Sequence, residues 1–290
     1  MKTKLFDYHT QSLEHGLGKH LRLSETIESA IRKGLSAICL TDHYPFPSEF
    51  IDPTPDKTCA MVMEEYKTYQ RKVSENIKVY QSKIEVLRGA EVDWLPEYEE
   101  WTQKQITRWN FDYCIGSVHF LGQIKDEIGQ RNFALDYTKE EFRNGITYYG
   151  GIEVLIKKYY AQICRMALSG LFDGVGHFDL VKKFNGGDLF DQSSLWYRKV
   201  VEQALDCIQK TGLAVEINTA GLDKKCKEQY PSLWVIYEAQ KRDIPITIGS
   251  DAHIPENVGR NLGKAIEMAK KMGYTKLVRF KKRQKIEVAI

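Results

Sequence analysis

Short apolar runs alternate with amphipathic helical stretches along the whole of this chain, and most of the runs are continuously apolar. Strands look like this when helices cover both faces of a sheet, and a strand–helix alternation builds a parallel sheet. The runs are Leu5–Tyr8, Ser36–Leu40, Ile84–Arg88, Asp112–Gly116, Phe172–Val175, Ala214–Ile217, Pro245–Ile248 and Lys276–Phe280. Between them, helical periodicity predicts helices over Ser24–Lys33, about Ala60–Gln81, about Glu97–Arg108, roughly Lys139–Leu168, about Ser193–Lys210, Ser232–Lys241 and about Pro255–Met272. Gly34 closes the first of these as a C-terminal cap. Seven or eight β-α units result, an α/β barrel pattern. No linker or short repeat divides the 290 residues, so residues 1–290 read as one unit. The stretch Pro45–Thr58 holds four of the eight prolines, too many for a helix or strand interior, and is expected to be an ordered loop over one barrel face.

The chain has seven histidines, and their positions follow the strands. His9 comes after the first run, His43 after the second, His119 after the fourth, His177 after the fifth and His253 after the seventh. His15 lies in the first loop, and only His20 has no place in the pattern. Carboxylates join them: Asp7, Asp42, Glu91 after the third run, Asp179, and Asp251 in the segment GSDAH. A parallel barrel gathers whatever follows each strand at one rim. Residues scattered over the chain are therefore expected to converge, and imidazole with carboxylate suits Zn²⁺, Mn²⁺ or Fe²⁺. One such histidine would be unremarked; five at matching strand ends point to a metal site.

Composition narrows the alternatives. Lys+Arg 42 against Asp+Glu 39 gives a net charge of +3, too small for a general nucleic-acid binder. No apolar run approaches the roughly 18 residues of a membrane span, and MKTKLFDYHTQS lacks the apolar centre of a signal peptide. The six cysteines form no C-x-x-C pair, and Cys39 and Cys114 lie inside apolar runs, so a reduced, cytoplasmic interior is expected. The basic stretch Lys276–Lys285 reads as a solvated terminal strand and tail. The chain has no P-loop, no G-x-G-x-x-G and no G-x-S-x-G nucleophile elbow.

Seven segments carry a family resemblance: DYHTQSLEHG (7–16), TDHYPFPS (41–48) with DPTPDKTCAM (52–61), GAEVD (89–93), DYCIGSVHF (112–120), GHFDLVKKF (176–184), EINTAGL (216–222) and GSDAH (249–253). Together they resemble the PHP (polymerase and histidinol phosphatase) superfamily, and within it the monofunctional histidinol-phosphatase branch. The resemblance implies a distorted (β/α)7-type, TIM-like barrel holding two or three divalent metal ions. His9, Glu91 and Asp251 would hold the first ion, Glu91, His119 and His177 the second with Glu91 bridging, and His15, His43 and His253 the third. The family opens on H-x-H, whereas this chain reads His9-Thr10-Gln11. Gln11 offers an amide oxygen, a weaker donor than imidazole, so weaker occupancy of the first position is expected.

The implied activity is hydrolysis of the phosphate monoester L-histidinol phosphate to L-histidinol and phosphate, in histidine biosynthesis, by metal-activated hydroxide. Glu91, Asp251 and His253 are the expected catalytic groups. Lys183 is a candidate phosphate contact and Asn218 a candidate for orienting the substrate or a ligand. Asp42 and Asp179 are expected to accept imidazole N–H bonds. Tyr44, Phe46 and Trp94 are pocket-wall candidates for which plain packing is the simpler role. Two alternatives stay open: a phosphoesterase of the same superfamily for another monoester, and a non-catalytic metal-binding barrel in which Gln11 marks decay. Metal identity and oligomeric state also stay open.

Overall fold

The computed structural model describes residues 5–12, 23–55, 57, 59–127 and 129–290. In chain order its elements are β1 (Phe6–Thr10), α1 (Leu23–Arg32), β2 (Ala37–Leu40), α2 (Met63–Tyr80), β3 (Glu85–Asp93), α3 (Glu99–Ile106), β4 (Tyr113–Ser117), β5 (Phe120–Asp126), β6 (Gly129–Ala134), α4 (Lys139–Tyr148), α5 (Ile152–Leu168), β7 (Gly174–Val175), α6 (Leu195–Thr211), β8 (Ala214–Asn218), α7 (Leu233–Lys241), β9 (Ile246–Gly249), α8 (Leu262–Lys271), β10 (Lys276–Lys281) and β11 (Gln284–Ala289). Seven strands form one parallel sheet in the order β1-β2-β3-β4-β7-β8-β9. The sheet nearly closes on itself beyond β9: Thr10 bridges to Ala252, and the Asp251 N–H donates to the His9 carbonyl at 2.8 Å. The expected distorted (β/α)7-type barrel is the observed fold.

The seven barrel strands are buried along most of their length, as continuous apolar runs require, and the helices bury one face each; α1 does so with Leu23, Ile27 and Ala30. The eighth run is not a barrel strand. It is β10, which pairs antiparallel with β11 as a hairpin under the barrel. The Tyr8 hydroxyl donates to the Phe280 carbonyl at 2.6 Å, and the Tyr113 and Phe280 rings stack at 4.7 Å. Burying a ring of this kind contributes roughly 2–3 kcal/mol. The basic tail is tied down by acids on the same side: Arg279 and Lys281 pair with Glu85, and Arg283 with Asp173.

Other expectations need correction. The helix expected over Lys139–Leu168 is two helices, because Gly150 and Gly151 take φ of 79° and 134° between α4 and α5. The last helix begins at Leu262 rather than Pro255; Gly259 and Asn261 at positive φ separate it from a single turn at Pro255–Asn257. The hairpin β5–β6 was not expected at all. The cysteines are not all reduced: Cys164 on α5 and Cys207 on α6 form a disulfide, their Cα atoms 5.4 Å apart, while Cys39, Cys59, Cys114 and Cys226 are free. A separation of 43 residues hides this pair until the two helices are packed together. Of the stretch Pro45–Thr58, the described residues 45–55 and 57 form a loop over the rim, as expected. Phe46 and Phe50 pack on Phe120 of β5, and Thr54 reaches the central cavity. Among the described residues no helix is long and apolar enough to cross a membrane.

Candidate metal centre

The ends of β1, β2, β3, β4, β7 and β9 each deliver a polar side chain to one cavity of about 500 Å³. At its floor is Glu91, 1% exposed, whose two carboxylate oxygens face different sets of partners. Oε2 lies 3.0 Å from His9 Nε2, accepts from the Gln11 amide at 3.0 Å, and lies 3.4 Å from His43 Nε2. Oε1 accepts from the Ser117 hydroxyl at 2.7 Å and lies 2.9 Å from His177 Nε2 and 3.6 Å from His119 Nε2. Asp251 Oδ1 stands 3.5 Å from His9 Nε2.

A second layer of carboxylates aims the imidazoles. Glu216 Oε1 accepts from His9 Nδ1 at 2.8 Å, and its Oε2 accepts the His177 backbone N–H at 3.0 Å. Asp93 serves two rings, His119 Nδ1 at 2.7 Å and His43 Nδ1 at 3.3 Å. With Nδ1 committed to a carboxylate, Nε2 of His9, His43 and His119 is the acceptor face of a neutral ring, and it points at Glu91. Two acceptors about 3 Å apart repel unless a positive charge lies between them. Protons or divalent cations can supply it, and the donor set fits both.

Without cations, protons fill the role. Burial pulls His9 down, but Glu216, Glu91 and Asp251 outweigh it and hold the ring well above the usual histidine range. Burial likewise opposes the protonation of His119, yet Asp93 drives its pKa up to about 10. Burial would raise Glu91, but His9 and His43 hold it well below the usual carboxylate range. Donor atoms of Glu91, His119 and His177 lie within 4.8 Å of one another, the spacing of a shared cation. His43, Asp93 and His119 also come that close. Asp93 meets both rings at Nδ1, however, so it holds them rather than sharing an ion with them. His177 Nδ1 is buried and has no partner among the described residues. Imidazole–carboxylate sets of this kind suit Zn²⁺, Fe²⁺ or Mn²⁺.

Local backbone supports the convergence. His177 and Asp251 both have positive φ, 24° and 53°, local backbone strain that the surrounding packing has to hold. A Cβ on Gly249 would lie 2.1 Å from Glu216 Oε1 and 2.5 Å from His9 Cβ, so only glycine lets that carboxylate reach His9.

The structure brings together His9, Gln11, His43, Glu91, His119, His177, Asp251 and His253; His15 lies outside the described residues. His253 sits nearer the mouth, with Nδ1 3.1 Å from the Asp251 carbonyl. Lys183 lines the cavity and donates to the carbonyl and carboxylate of Asp136 at 2.7 and 2.8 Å. Asn218 is buried and donates to Glu216 and to Asp251 Oδ2 at 3.2 Å, so it orients a candidate ligand rather than facing a substrate. Asp42 accepts from the Ser12 backbone and hydroxyl. Among the described residues Asp179 holds no imidazole: it pairs with Lys182 and accepts the Ser232 N–H, because the chain turns away from the cluster after His177. Tyr44 and Trp94 are buried packing residues, and Phe46, within the rim loop, packs on Phe50 and Phe120. Glu216, Asp93 and Asp136 were missed. A charge inside an apolar strand run, such as Glu216 in AVEIN, is the signal that marks one of them, since an unpaired buried charge is costly.

Asp93→Asn is expected to weaken divalent-cation binding by about 10- to 100-fold with the fold intact, because the rings lose the group that fixes their tautomers. Calorimetric titration with Zn²⁺ or Mn²⁺ checks this; unchanged affinity would remove the role.

Residues 7–220 match the family model described as PHP domain, and residues 235–262 match one described as PHP-associated. The histidinol-phosphatase of Bacillus subtilis is 33% identical over 259 residues, covering 87% of this chain and 93% of that protein. A Listeria monocytogenes crystal structure assigned as a histidinol phosphatase superimposes with a TM-score of 0.80 at 27% identity, covering 90% of this chain and 99% of that one. The histidinol phosphate phosphatase of Lactococcus lactis, solved in complex with Zn, L-histidinol and phosphate, shares the fold with a TM-score of 0.75 at 22% identity, covering 98% and 99% of the two chains.

Proposed function

We propose, on the premise that this chain belongs to the PHP domain family, that it is a metal-dependent phosphatase hydrolysing L-histidinol phosphate to L-histidinol and phosphate. The observation that carries the reading is Glu91, one buried carboxylate with a separate set of imidazoles at each oxygen. The B. subtilis relative named for this activity supports the substrate, and so does the product pair held by the L. lactis enzyme. A step in histidine biosynthesis, and with it a cytoplasmic place, follows from that substrate. Residues 1–290 are taken as one catalytic barrel.

Two or three ions are assigned as follows: His9, Gln11, Glu91 and Asp251 to the first, Glu91, His119 and His177 to the second, and His43 and His253 with His15 to a third. The zinc of the L. lactis enzyme favours Zn²⁺ over Fe²⁺ or Mn²⁺. Cations bound there would acidify water and offset the charge of the phosphoryl oxygens. The chain's own groups do the rest. Glu216, Asp93 and Asn218 keep the ligating atoms aimed. Lys183 brings a cation to the phosphate side of the cavity. His253, toward the mouth with the ionised Asp251 beside it, is placed to pass a proton to the departing alkoxide.

The test is phosphate release from a panel of monoesters after loading with Zn²⁺, Mn²⁺ or Fe²⁺. A clear preference for L-histidinol phosphate is expected. A flat profile would defeat the substrate, and metal binding without hydrolysis would leave a non-catalytic barrel.

Gln11 yields a second expectation. Its amide nitrogen faces Glu91; a half turn of the amide would present the oxygen to a cation instead, still a neutral and weaker ligand. Gln11→His should therefore raise metal affinity at the first position by about tenfold, the scale of one improved contact, and raise turnover with it. Metal analysis and phosphate release on both chains read this out, and equal values would discard it.

A further inference from the structure

We infer that Arg260 is a phosphate-binding residue of this site and that Asp223 is its positioning residue. The inference rests on the phosphatase reading and extends it to residues beyond the metal cluster. Arg260 lies in the connection between the turn at Pro255–Asn257 and α8. Its carbonyl accepts the Thr219 hydroxyl at 2.7 Å, which ties this connection to the rim just after β8. From there its side chain lines the same cavity as Glu91, His177 and Asp251.

The guanidinium is only half used by the protein. Nη1 pairs with Asp223 Oδ2. Nε is buried and has no hydrogen-bond partner among the described residues. A buried N–H left without an acceptor is costly, and native structures keep few of them without a reason. The guanidinium fork matches phosphate oxygens in shape and charge, and the cavity's substrate brings such oxygens. Of the lysines that line the cavity, Lys183 is already shared with the carbonyl and carboxylate of Asp136, and Lys224 is exposed. Asp223 is 54% exposed and, among the described residues, pairs with Arg260 alone, so it holds one Nη of the guanidinium beside the cavity that both residues line.

The experiment measures inorganic phosphate on the metal-loaded protein, by calorimetry and as an inhibitor of whichever monoester is hydrolysed, for the unaltered chain, Arg260→Met, Arg260→Lys, Asp223→Asn and Arg260→Met/Asp223→Asn. Arg260→Met should weaken phosphate about 10- to 100-fold, as loss of a charge-assisted bond does, with metal content and the inhibition constant of L-histidinol unchanged. Arg260→Lys should recover part of the loss. Asp223→Asn should give a smaller loss, and the double variant should be no worse than Arg260→Met alone. Unchanged phosphate affinity in Arg260→Met overturns the inference while leaving the phosphatase reading standing. Weakened L-histidinol with unchanged phosphate overturns it too, by moving the pair to the alcohol end. An unaltered chain that neither hydrolyses monoesters nor binds phosphate removes both.

Discussion

Glu91→Gln is expected to lower hydrolysis by at least about a thousandfold and to strip most of the bound metal, while the barrel stays folded. The replacement is isosteric, so packing against the floor of the cavity is retained. What disappears is a full negative charge that four imidazoles face: His9 and His43 from one oxygen, His119 and His177 from the other. A carboxylate can give one oxygen to each of two cations; an amide gives a single neutral oxygen. Its nitrogen would also donate to the ring lone pairs that a cation needs. Both metal positions therefore lose their common ligand at once, and the neighbouring acids are already committed: Asp93 to His43 and His119, Glu216 to His9 and His177, and Asp251 to the His9 side alone. Elemental analysis, circular dichroism and phosphate release on the same preparation separate the possibilities. Full metal content with more than a tenth of the activity would show that Glu91 is not the shared ligand.

The rim was legible in the sequence because a parallel barrel turns strand order into spatial order: whatever follows each apolar run arrives at one edge. That placed His9, His43, Glu91, His119, His177, Asp251 and His253 correctly relative to one another. Residues inside the runs were harder to read. Asp93 lies two positions beyond Glu91, on the same face of β3, and strand period alone would bring it to the cluster. Glu216 was hidden in the same way within β8. Asp136 and Arg260 come from connections, where no period applies. The hairpin β5–β6 was lost between two long helical signals, and β7 keeps only Gly174 and Val175 in the sheet, so its run overstated the strand. The disulfide depends on how α5 and α6 face each other, which no single segment encodes. The tail gave the opposite error: Lys276–Phe280 has the composition of a barrel strand, but Phe280 seals the base beneath Tyr8 and Tyr113.

Removing the metal with a chelator should abolish turnover, and restoring it should release protons, so that apparent metal affinity rises with pH. The sign follows from the imidazoles. In the metal-free chain burial opposes their protonation, but the facing carboxylates win: His9 is held well above the usual range and His119 at about 10. Both rings are therefore protonated at pH 7 when no cation is present. A metal ligand must be the neutral ring, so loading displaces those protons. Lowering the pH from 8 to 6 stays below the His119 value throughout, and each displaced proton weakens apparent affinity by about tenfold per pH unit. Two displaced protons would make this roughly a hundredfold per unit. The carboxylates add nothing over this window, because Glu91, Asp93 and Asp251 are all held below the usual carboxylate range, where they remain ionised. Zinc titrations in two buffers of different ionisation enthalpy count the protons directly. One to two released at pH 7 is the expected result. None released, or affinity independent of pH between 6 and 8, would mean that the rings are neutral before the metal arrives, and that Glu91 faces them for some reason other than sharing a cation.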